Sequence, residues 1–436
     1  MNKLLRYAFT LLLMAQQAWA QQLTIQITNG VDNPTPIAVV PFEWAGFGTL
    51  PENIPAIVSS DLSNSGEFKT IPEKNMLSQP HQEKDVFYRD WRFLGADYLL
   101  VGKISRSPNS NLIQVQYELF NVVGEKRIVG EVITGNESQL RDIAHQISDV
   151  VFEKITGIRG AFGTKILYVT AQHKAPNLQL FQLNLADADG ARAQVLLDSR
   201  EPIMSPTWSP DGKQIAYVSF ESSRSRIYVQ NLGTGAREQI TDFPGINSAP
   251  SWSPDGSKMA MVLSKDGDPD VYVMDMRTRQ LRKITTHFAA DTEPSWTPDG
   301  KSLIYTSEQS GQFRPQIYQV NLDTLWTERV TFDGTFNAKA TMLADGKNIV
   351  LIHRGEVGDD FHVSVMNLEK GTLRVLTDTS LDESPTVAPN GHMIMYSSKV
   401  GERNILNAVS INGRVKYELP VKEGDVREPA WSPFMN

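Results

Sequence analysis

A seven-residue motif that returns about every 45 residues constrains the fold of this chain more than any other feature. Three full copies read PTWSPDG, PSWSPDG and PSWTPDG; two degenerate copies and a truncated last copy continue the series, and successive copies begin 44 to 46 residues apart. Short strands repeated at a period of about 40–50 residues are typical of the blades of a β-propeller. The copies occupy Pro206–Gly212, Pro250–Gly256, Pro294–Gly300, Ala340–Gly346, Pro385–Gly391 and Pro429–Phe434.

Each repeat predicts four strands. The first runs into the Trp of the motif, as in Ala249–Ser253, and Pro-Asp-Gly then makes a tight turn in which Gly takes a positive φ. Alternating stretches such as Ile215–Val218 and Ile227–Val229 predict the second and third strands, and a short fourth strand ends the repeat. The stretch 163–197 lacks a first strand, whereas Glu428–Ser432 is a first strand with nothing after it. We therefore predict a six-bladed β-propeller that closes when the C-terminal strand completes the first blade.

The motif Trp residues are expected to pack between the blades. Met342 and Val387 stand at the corresponding positions of the two degenerate copies, where a core of similar volume tolerates them. The residues concerned are Trp208, Trp252, Trp296 and Trp431.

Residues 34–158 predict a small α/β (α+β) domain, and the propeller is expected to span 159–436. Helical periodicity indicates helices at Ile54–Leu62, Asp85–Leu94 and Glu137–Ile155, the last with one apolar face. Strand-like alternation is found at Pro36–Phe42, Ala96–Ile104, Leu112–Phe120 and Arg127–Thr134.

The first twenty residues predict a secretory signal peptide. Lys3 and Arg6 precede a short apolar stretch, and Ala18-Trp19-Ala20 is a small-x-small cleavage site. The mature chain would hold 40 basic and 50 acidic residues, which makes nucleic acid a poor partner. The apolar stretch is too short to span a bilayer, so membrane insertion is not expected. With no cysteine for disulfides or lipid attachment, the chain is expected in the periplasm, and export into the medium is the alternative.

Catalytic patterns are missing from the sequence. There is no G-x-S-x-G nucleophile elbow, H-E-x-x-H zinc helix, phosphate-binding loop or dinucleotide fingerprint. The seven His residues are scattered, and none pairs at metal-ligand spacing. We therefore expect a binding protein with no catalytic residues and no resident metal or cofactor.

The residues that lead into each Pro-x-Trp strand are a candidate binding site. The first strand of a blade is innermost, so these residues should converge on one mouth of the channel as an acidic ring interrupted by Lys339 and Arg427. Such a ring could receive a partner's Arg or Lys, or calcium, or it could be a solvated mouth without a partner. We expect Glu293→Lys to weaken partner binding while the fold survives. The ring comprises Met204, Ser205, Ser248, Ala249, Asp291, Thr292, Glu293, Ala338, Lys339, Asp382, Glu383, Arg427 and Glu428.

The segment 21–33 is a second candidate site. Apolar residues alternate along it before an Asn-Gly turn signal, so it is either the first strand of the small domain's sheet or a detachable segment. A detachable segment would add as a strand to a partner or dock between the domains. Its candidate residues are Gln21, Gln22, Leu23, Thr24, Ile25, Gln26, Ile27 and Asn33.

These features together resemble the TolB family, the periplasmic proteins of the Tol–Pal system. The similarity spans essentially the whole chain, and it is most specific in GVDNPTPIAVVPFEWAG, in VFEKITGIRGAF, in LDESPTVAPNG and around the first motif. These stretches are Gly30–Gly46, Val151–Phe162, Leu381–Gly391 and Ile203–Gly212.

The resemblance implies two protein partners. TolB-like proteins bind Pal, the peptidoglycan-associated lipoprotein, at the channel mouth, and TolA, an inner-membrane protein, through the first dozen mature residues. The system maintains outer-membrane integrity and helps the envelope constrict at cell division, and bacteriocin segments and outer-membrane proteins are further expected partners. Carried over by position, the Pal-facing residues are Ile246, Ala249, Thr292 and Glu293, where Ile246 replaces the family's frequent His.

One alternative of a different class is kept. A secreted propeller could bind a small ligand, or act as a lyase or hydrolase, in its central channel.

Overall fold

The computed structural model describes residues 24–26, 33–107, 110–175, 178–311, 314–421 and 424–435. The predicted signal peptide, residues 1–20, lies outside these ranges. So do Gln21, Gln22, Leu23 and Ile27 of the predicted partner-binding segment. In the part of the chain that is described, no helix is both long enough and apolar enough to cross a membrane.

The amino-terminal domain is a mixed sheet covered by helices. Three of its strands pair in parallel around Thr35–Val39, and the remaining strands continue the sheet as an antiparallel meander. The short strand Glu43–Trp44 lies outside this strand order and pairs in parallel with Lys103 and Ile104 of the strand Tyr98–Arg106. In sheet order the strands are Phe68–Thr70, Thr35–Val39, Tyr98–Arg106, Ile113–Asn121 and Lys126–Gly135.

Helices α1 (Ile54–Asn64), α2 (Tyr88–Phe93) and α3 (Leu140–Thr156) complete this domain. Helix α1 begins where the Asn53 side chain accepts a hydrogen bond from the Ala56 N–H, which satisfies one free donor of the first turn. Helix α3 ends at Gly157, whose φ of +76° suits glycine.

The long helices agree with the sequence prediction, and the shorter elements differ from it. Glu137–Gln139 is a 3₁₀ turn before α3, and the predicted helix at Asp85–Leu94 is a 3₁₀ turn at Glu83–Asp85 followed by α2. The strands Glu43–Trp44 and Phe68–Thr70 were not predicted, because two or three residues are too few to show an alternating pattern.

The second part of the chain is a six-bladed β-propeller. The sheet of blade I consists of Gln194–Ser199, Leu178–Asp187, Lys165–Ala175 and, innermost, Asp425–Trp431. The C-terminal strand therefore closes the ring by pairing with a strand about 260 residues earlier in the chain, as predicted. This closure pairs the edge of Lys165–Ala175 that would otherwise be left free.

The other blades follow the same order from the channel outwards. Blade II contains Ile203–Trp208, Gln214–Ser219, Arg226–Asn231 and Arg237–Gln239, and blade III contains Asn247–Trp252, Lys258–Leu263, Asp270–Asp275 and Leu281–Lys283. Blade IV contains Asp291–Trp296, Ser302–Ser307, Gln316–Asn321 and Thr327–Arg329, and blade V contains Phe336–Met342, Asn348–Arg354, His362–Asn367 and Thr372–Val375. Blade VI contains Asp382–Val387, Met393–Val400, Arg403–Ser410 and Lys416–Glu418.

The motif Trp residues join neighbouring blades, which confirms their predicted place in the inter-blade core. Trp208 packs among residues of blades I and II, and its ring N–H donates to the Ala430 carbonyl of blade I at 3.0 Å. Trp296 donates in the same way to the Ser251 carbonyl of blade III at 2.9 Å. Trp208 and Trp296 therefore each bury a large apolar ring and also satisfy a carbonyl of the preceding blade. The ring N–H of Trp431 donates instead to the Thr164 hydroxyl at 2.7 Å.

The amino-terminal domain and the predicted binding site lie at opposite faces of the propeller. The domain and the segment that directly follows it contact the turns at the far ends of the strands: Asn412 donates to Glu67 at 3.0 Å, and Asn390 donates to the Arg159 carbonyl at 3.1 Å. Asn390 belongs to the turn that follows the innermost strand of blade VI, so the innermost strands end at the face of the domain and begin at the other face. A ligand at the mouth is therefore separated from the small domain by the full depth of the blades.

Candidate functional site at the channel mouth

Every innermost strand contains a β-bulge close to its start. In blade IV, Thr292 pairs with Thr306 and Ser295 with Ile304, so Glu293 and Pro294 together face one partner residue. The same shift of register occurs in the other five blades. The first extra residue of each bulge has a φ between +47° and +54° although none is glycine. These six residues, the bulge ring, are Ser205, Ala249, Glu293, Lys339, Ser384 and Glu428.

The bulge ring carries backbone strain at the channel. A left-handed conformation costs a non-glycine residue about 1–2 kcal/mol, and such residues persist only where the surrounding structure holds them. Proline follows five of the six residues, and Lys339 is followed by Ala340. The six bulges aim six side chains and their backbone groups at one mouth, which is a common use of bulges near binding sites.

Hydrogen bonds link members of the bulge ring from blade to blade. The carboxylate of Glu293 accepts from the backbone N–H of Lys339 at 2.9 Å and from the Thr306 hydroxyl at 2.9 Å. The Lys339 ammonium in turn donates to the Ser384 hydroxyl at 2.8 Å. Across the channel, the Glu428 carboxylate accepts from the Ser205 N–H of the following blade. Three predicted charged residues, Glu293, Lys339 and Glu428, are therefore held in place by hydrogen bonds.

The mouth contains fewer acidic groups than the sequence suggested. Asp291 and Asp382 are buried inside their blades and do not belong to the acidic ring predicted for them. Asp382 accepts hydrogen bonds from the hydroxyls of Thr377 and Thr379, and burial raises the pKa of Asp291 above its usual range. Both begin a strand whose first side chain points into the blade, a direction that only the strand register fixes.

The structure gathers most of the predicted site residues around one channel cavity of about 560 Å³. Proline side chains of the motif, such as Pro206 and Pro250, form apolar walls between the polar members. The predicted residues that line the cavity are Met204, Ser205, Ser248, Ala249, Thr292, Glu293, Lys339 and Glu428.

Ala338 and the buried Asp291 and Asp382 lie outside this lining, and so do Glu383, Arg427 and Ile246. Glu383 and Arg427 are exposed. Each lies one position before the bulge residue of its strand and pairs regularly with the neighbouring strand. Ile246 precedes the innermost strand of blade III and is 44% exposed, with its N–H donating to the Ser264 hydroxyl at 2.8 Å. An apolar side chain this exposed at the edge of a polar channel is available to a partner.

Sequence reasoning missed Ser384, the bulge-ring residue of blade VI, and assigned Glu383 in its place. In each of the five blades whose motif begins with proline, the residue directly before that proline belongs to the bulge ring. The position of Ser384 directly before Pro385 was therefore the signal available in the sequence. Thr306 was missed as well, because nothing local connects the second strand of blade IV with Glu293.

The expected alternative of calcium in the channel is not favoured by this geometry. Glu293 and Glu428 belong to blades IV and I, which lie across the ring from each other, and each carboxylate already accepts a backbone N–H. Among the described residues, the group of three acidic or His side chains close enough to share an ion lies elsewhere, at Asp61, His145 and Asp189.

The backbone of Thr24–Gln26 pairs in parallel with Thr372–Val375 and forms a fifth strand on the outer edge of blade V. The interpretation of this stretch as the first strand of the small domain's sheet is therefore wrong. Asn33, at the other end of the predicted segment, is exposed.

The fold and the mouth together define a class: a six-bladed propeller protein with a polar channel mouth and an amino-terminal α/β domain. A family model described as the TolB beta propeller domain matches residues 152–435, and one described as the TolB amino-terminal domain matches residues 23–128. This chain belongs to the TolB family.

Relatives and a solved structure agree with this assignment. The chain is 52% identical to the Tol-Pal system protein TolB of Pseudomonas aeruginosa over 100% of both chains. It is 52% identical to the protein of that name from Pseudomonas fluorescens over 97% of both chains. The crystal structure of TolB from Acinetobacter baumannii superposes with a TM-score of 0.85 at 40% identity, covering 92% of this chain and 98% of that one.

Proposed function

We propose that this chain is a periplasmic, non-enzymatic binding protein of the Tol–Pal system that connects TolA with the lipoprotein Pal. In this role it maintains outer-membrane integrity and contributes to constriction at cell division. Membership of the TolB family and relatives named as Tol-Pal system proteins support the proposal. Residues 1–20 would be the signal peptide, residues 21–33 the TolA-binding segment, residues 34–158 the α/β domain and residues 159–436 the propeller.

The observation that carries the proposal is the bulge ring around an open channel. Five of the six strained residues line one cavity, and four of these, Ser205, Glu293, Lys339 and Glu428, bring carboxylate, ammonium and hydroxyl groups to it and are hydrogen-bonded within the ring. Met204 and Ile246 add apolar surface at its edge. A pre-organised polar ring within an apolar rim matches the makeup of a protein interface, because little side-chain entropy remains to be lost on binding. We place the Pal-binding site here. A Lys or Arg of Pal would pair with Glu293, while Glu383 and Arg427 would act at the rim.

The test of the Pal site uses Glu293→Gln, because Glu293 is also a structural tie. Gln keeps an oxygen that can accept from the Lys339 N–H and removes only the charge, whereas the predicted Glu293→Lys change would also break the link between blades IV and V. Truncating one partner of a desolvated charge pair costs about 2–5 kcal/mol, so we expect Pal affinity to fall at least about tenfold for E293Q.

A calorimetric titration with purified Pal measures this change. Glu153→Gln is the matched control, because Glu153 is an exposed carboxylate on α3, at the opposite face. Wild-type affinity for E293Q, with the control also unchanged, would remove Glu293 from the site. Absence of Pal binding by the wild-type chain would overturn the proposed function itself.

The TolA-binding segment is proposed on the resemblance and on the position of its described strand. One edge of Thr24–Gln26 is paired with Thr372–Val375, so a partner would add to the free edge or displace the strand from blade V.

Deleting residues 21–33 should abolish TolA capture. It should leave Pal binding in place, and E293Q should still weaken that binding. Hydrogen exchange should then accelerate at the amides of Leu373–Val375, with the uncovered outer strand Leu281–Lys283 of blade III as the reference. Unchanged TolA capture after this deletion would contradict the assignment.

A further inference from the structure

The contact between the two domains contains a row of three ionisable side chains. Asp61 on α1 and His145 on α3 belong to the small domain, and Asp189 lies in the turn after the strand Leu178–Asp187 of blade I. The Asp61 carboxylate is 2.8 Å from the Nδ1 of His145, and an Asp189 oxygen is 3.7 Å from the Nε2. Asp61 and His145 are 5% and 2% exposed, so both lie in a low-dielectric contact.

His145 is satisfied on one nitrogen and unsatisfied on the other. Its Nδ1 binds Asp61, which also accepts from the Ser148 hydroxyl at 2.6 Å, but its Nε2 is buried without a hydrogen-bond partner. A neutral imidazole that donates through Nδ1 presents a lone pair to Asp189. An imidazolium donates through both nitrogens, so it can bridge a carboxylate of each domain.

The groups that face His145 make this contact acidic. Arg141, one turn earlier on α3, pairs with Asp189 and lies 3.3 Å from Asp187 and 3.6 Å from Glu52. Blade VI adds Tyr417 and His392, which line a cavity together with Asp61 and Asp189, and the charge of Glu67 acts on His392. The charged groups around His145 are six carboxylates and three permanent cations: Glu52, Asp61, Asp142, Asp149, Asp187, Asp189, Arg141, Lys165 and Arg192.

We propose that His145 is a proton-operated latch between the amino-terminal domain and the propeller. With a proton on each nitrogen, the ring bridges Asp61 and Asp189 and holds the domains together. When the second proton leaves, the bridge to Asp189 is lost and a lone pair faces its carboxylate, so the contact loosens.

The pKa directions agree with a docked state that holds the extra proton. Burial alone would lower the pKa of His145, but the hydrogen bond and charge of Asp61, followed by the charge of Asp189, outweigh it and raise this pKa above its usual value. Burial raises the pKa of Asp61 and raises that of Asp149 to about 6. A raised pKa stabilises the docked state at low pH, and this stabilisation is lost as the pH rises through the raised value. The pKa values of Asp142 and Asp187 are lowered, so the stabilisation that these carboxylates give is lost only as the pH falls below about 4.

The geometry favours a proton over a metal ion as the occupant. Asp61 faces Nδ1 of the ring and Asp189 faces Nε2, an arrangement that an imidazolium satisfies by donating from both nitrogens. The guanidinium of Arg141 already pairs with Asp189, and a dication there would meet a positive neighbour.

The first test follows the ring directly in the full-length protein. NMR of ¹⁵N-labelled histidine across pH 5–8 should show His145 titrating above the usual histidine pKa, and Asp189→Asn should lower that pKa. The Asn variant keeps an oxygen for Arg141 and lies at a partly exposed position, so it should fold even if substitutions at the buried ring do not. A His145 ring that stays neutral throughout this range, or whose pKa is the same in D189N, would overturn the proposal.

The second test follows the contact itself. We expect protection of the turn residues 187–192 against hydrogen exchange, corrected for the intrinsic rate, to fall at least about threefold between pH 5.5 and 8 in the wild type. The fall should be much smaller in His145→Gln, while His173→Gln, at an exposed position, should match the wild type. Equal pH profiles for wild type and H145Q would contradict the latch. Stoichiometric bound zinc or calcium whose removal by EDTA abolishes the protection would replace it with a metal site.

Discussion

The carboxylate of Glu293 in blade IV accepts a hydrogen bond from the backbone N–H of Lys339 in blade V, at 2.9 Å. Both residues occupy the left-handed position of their bulges, with φ values of +53° and +52°. A residue proposed to meet a protein partner is thus also a bond between two blades. A partner that binds Glu293 would therefore meet a carboxylate whose orientation the fold already fixes.

Glu293→Ala should destabilise the propeller more than Glu293→Gln. Ala removes the acceptor of two hydrogen bonds, and bonds to a charged group contribute about 1.5–3 kcal/mol each when well formed. Because the side chain is only half-buried, we expect a loss of about 1–2 kcal/mol for E293A and less than half of that for E293Q. Urea unfolding followed by Trp fluorescence measures both, and equal losses would mean that the bond between the blades contributes nothing.

Ala249→Val should be costly, and Ala249→Gly should not. Ala249 has a φ of +47°, a conformation that a β-branched side chain resists and glycine adopts freely. We expect A249V to lower the free energy of unfolding by about 1–2 kcal/mol and A249G to change it by less than about 1 kcal/mol. Ser251→Val, at a regularly paired position of the same strand, is the control and should be near neutral. Similar losses for the two Val variants would show that the left-handed backbone is not the cause.

Trp296→Phe should cost more than Trp252→Phe. The ring N–H of Trp296 donates to the Ser251 carbonyl of the preceding blade, whereas that of Trp252 is buried without a partner. Phe therefore leaves a carbonyl unsatisfied at the first site and removes an unsatisfied donor at the second. We expect a difference of about 1–2 kcal/mol in the free energy of unfolding from denaturant titrations. A larger loss for W252F would contradict the hydrogen-bond argument.

Asp149 should make stability fall as the pH rises from about 4 to 6. Burial raises the pKa of Asp149 to about 6 despite hydrogen bonds from the Phe162 and Gly163 N–H groups. The unfolded chain releases this proton near pH 4, so unfolding releases a proton within this window and stability declines. The full effect is about 2–3 kcal/mol and should be absent from Asp149→Asn. Unfolding midpoints at several pH values measure the slope, with the exposed Asp268→Asn as control; a wild-type slope in D149N would exclude Asp149 as the source.

Much of the propeller was predictable because its signals are local and repeated. The Pro-Asp-Gly turns fix the first hairpin of a blade, and the count of strands left one incomplete blade at each end of the repeat. The closure through Asp425–Trp431 follows from that count, and the structure confirms it. The short strands of the small domain carry no such repeat, and Phe68–Thr70 escaped detection for that reason.

The candidate site was predictable as a location and less so in its chemistry. Topology alone placed Thr292 and Glu293 at the mouth, since the start of an innermost strand must reach the channel. Whether a side chain there points to the channel or into the blade depends on a one-residue register that the bulge alters. Asp291 was therefore assigned to the wrong side, and Ser384 was passed over.

By itself, the sequence determined the number of blades, the way in which the ring closes, the order of the two domains and the end of each innermost strand that lies at the channel mouth. All of these follow from turn residues and periodicity, which act over a few neighbouring positions. Tertiary structure alone decided that Glu293 bonds to Lys339, that Thr24–Gln26 lies on blade V, and that Asp61, His145 and Asp189 meet between the domains. These contacts join residues between 44 and about 350 positions apart, and only the packing of finished blades and domains brings them within hydrogen-bond or ionic reach.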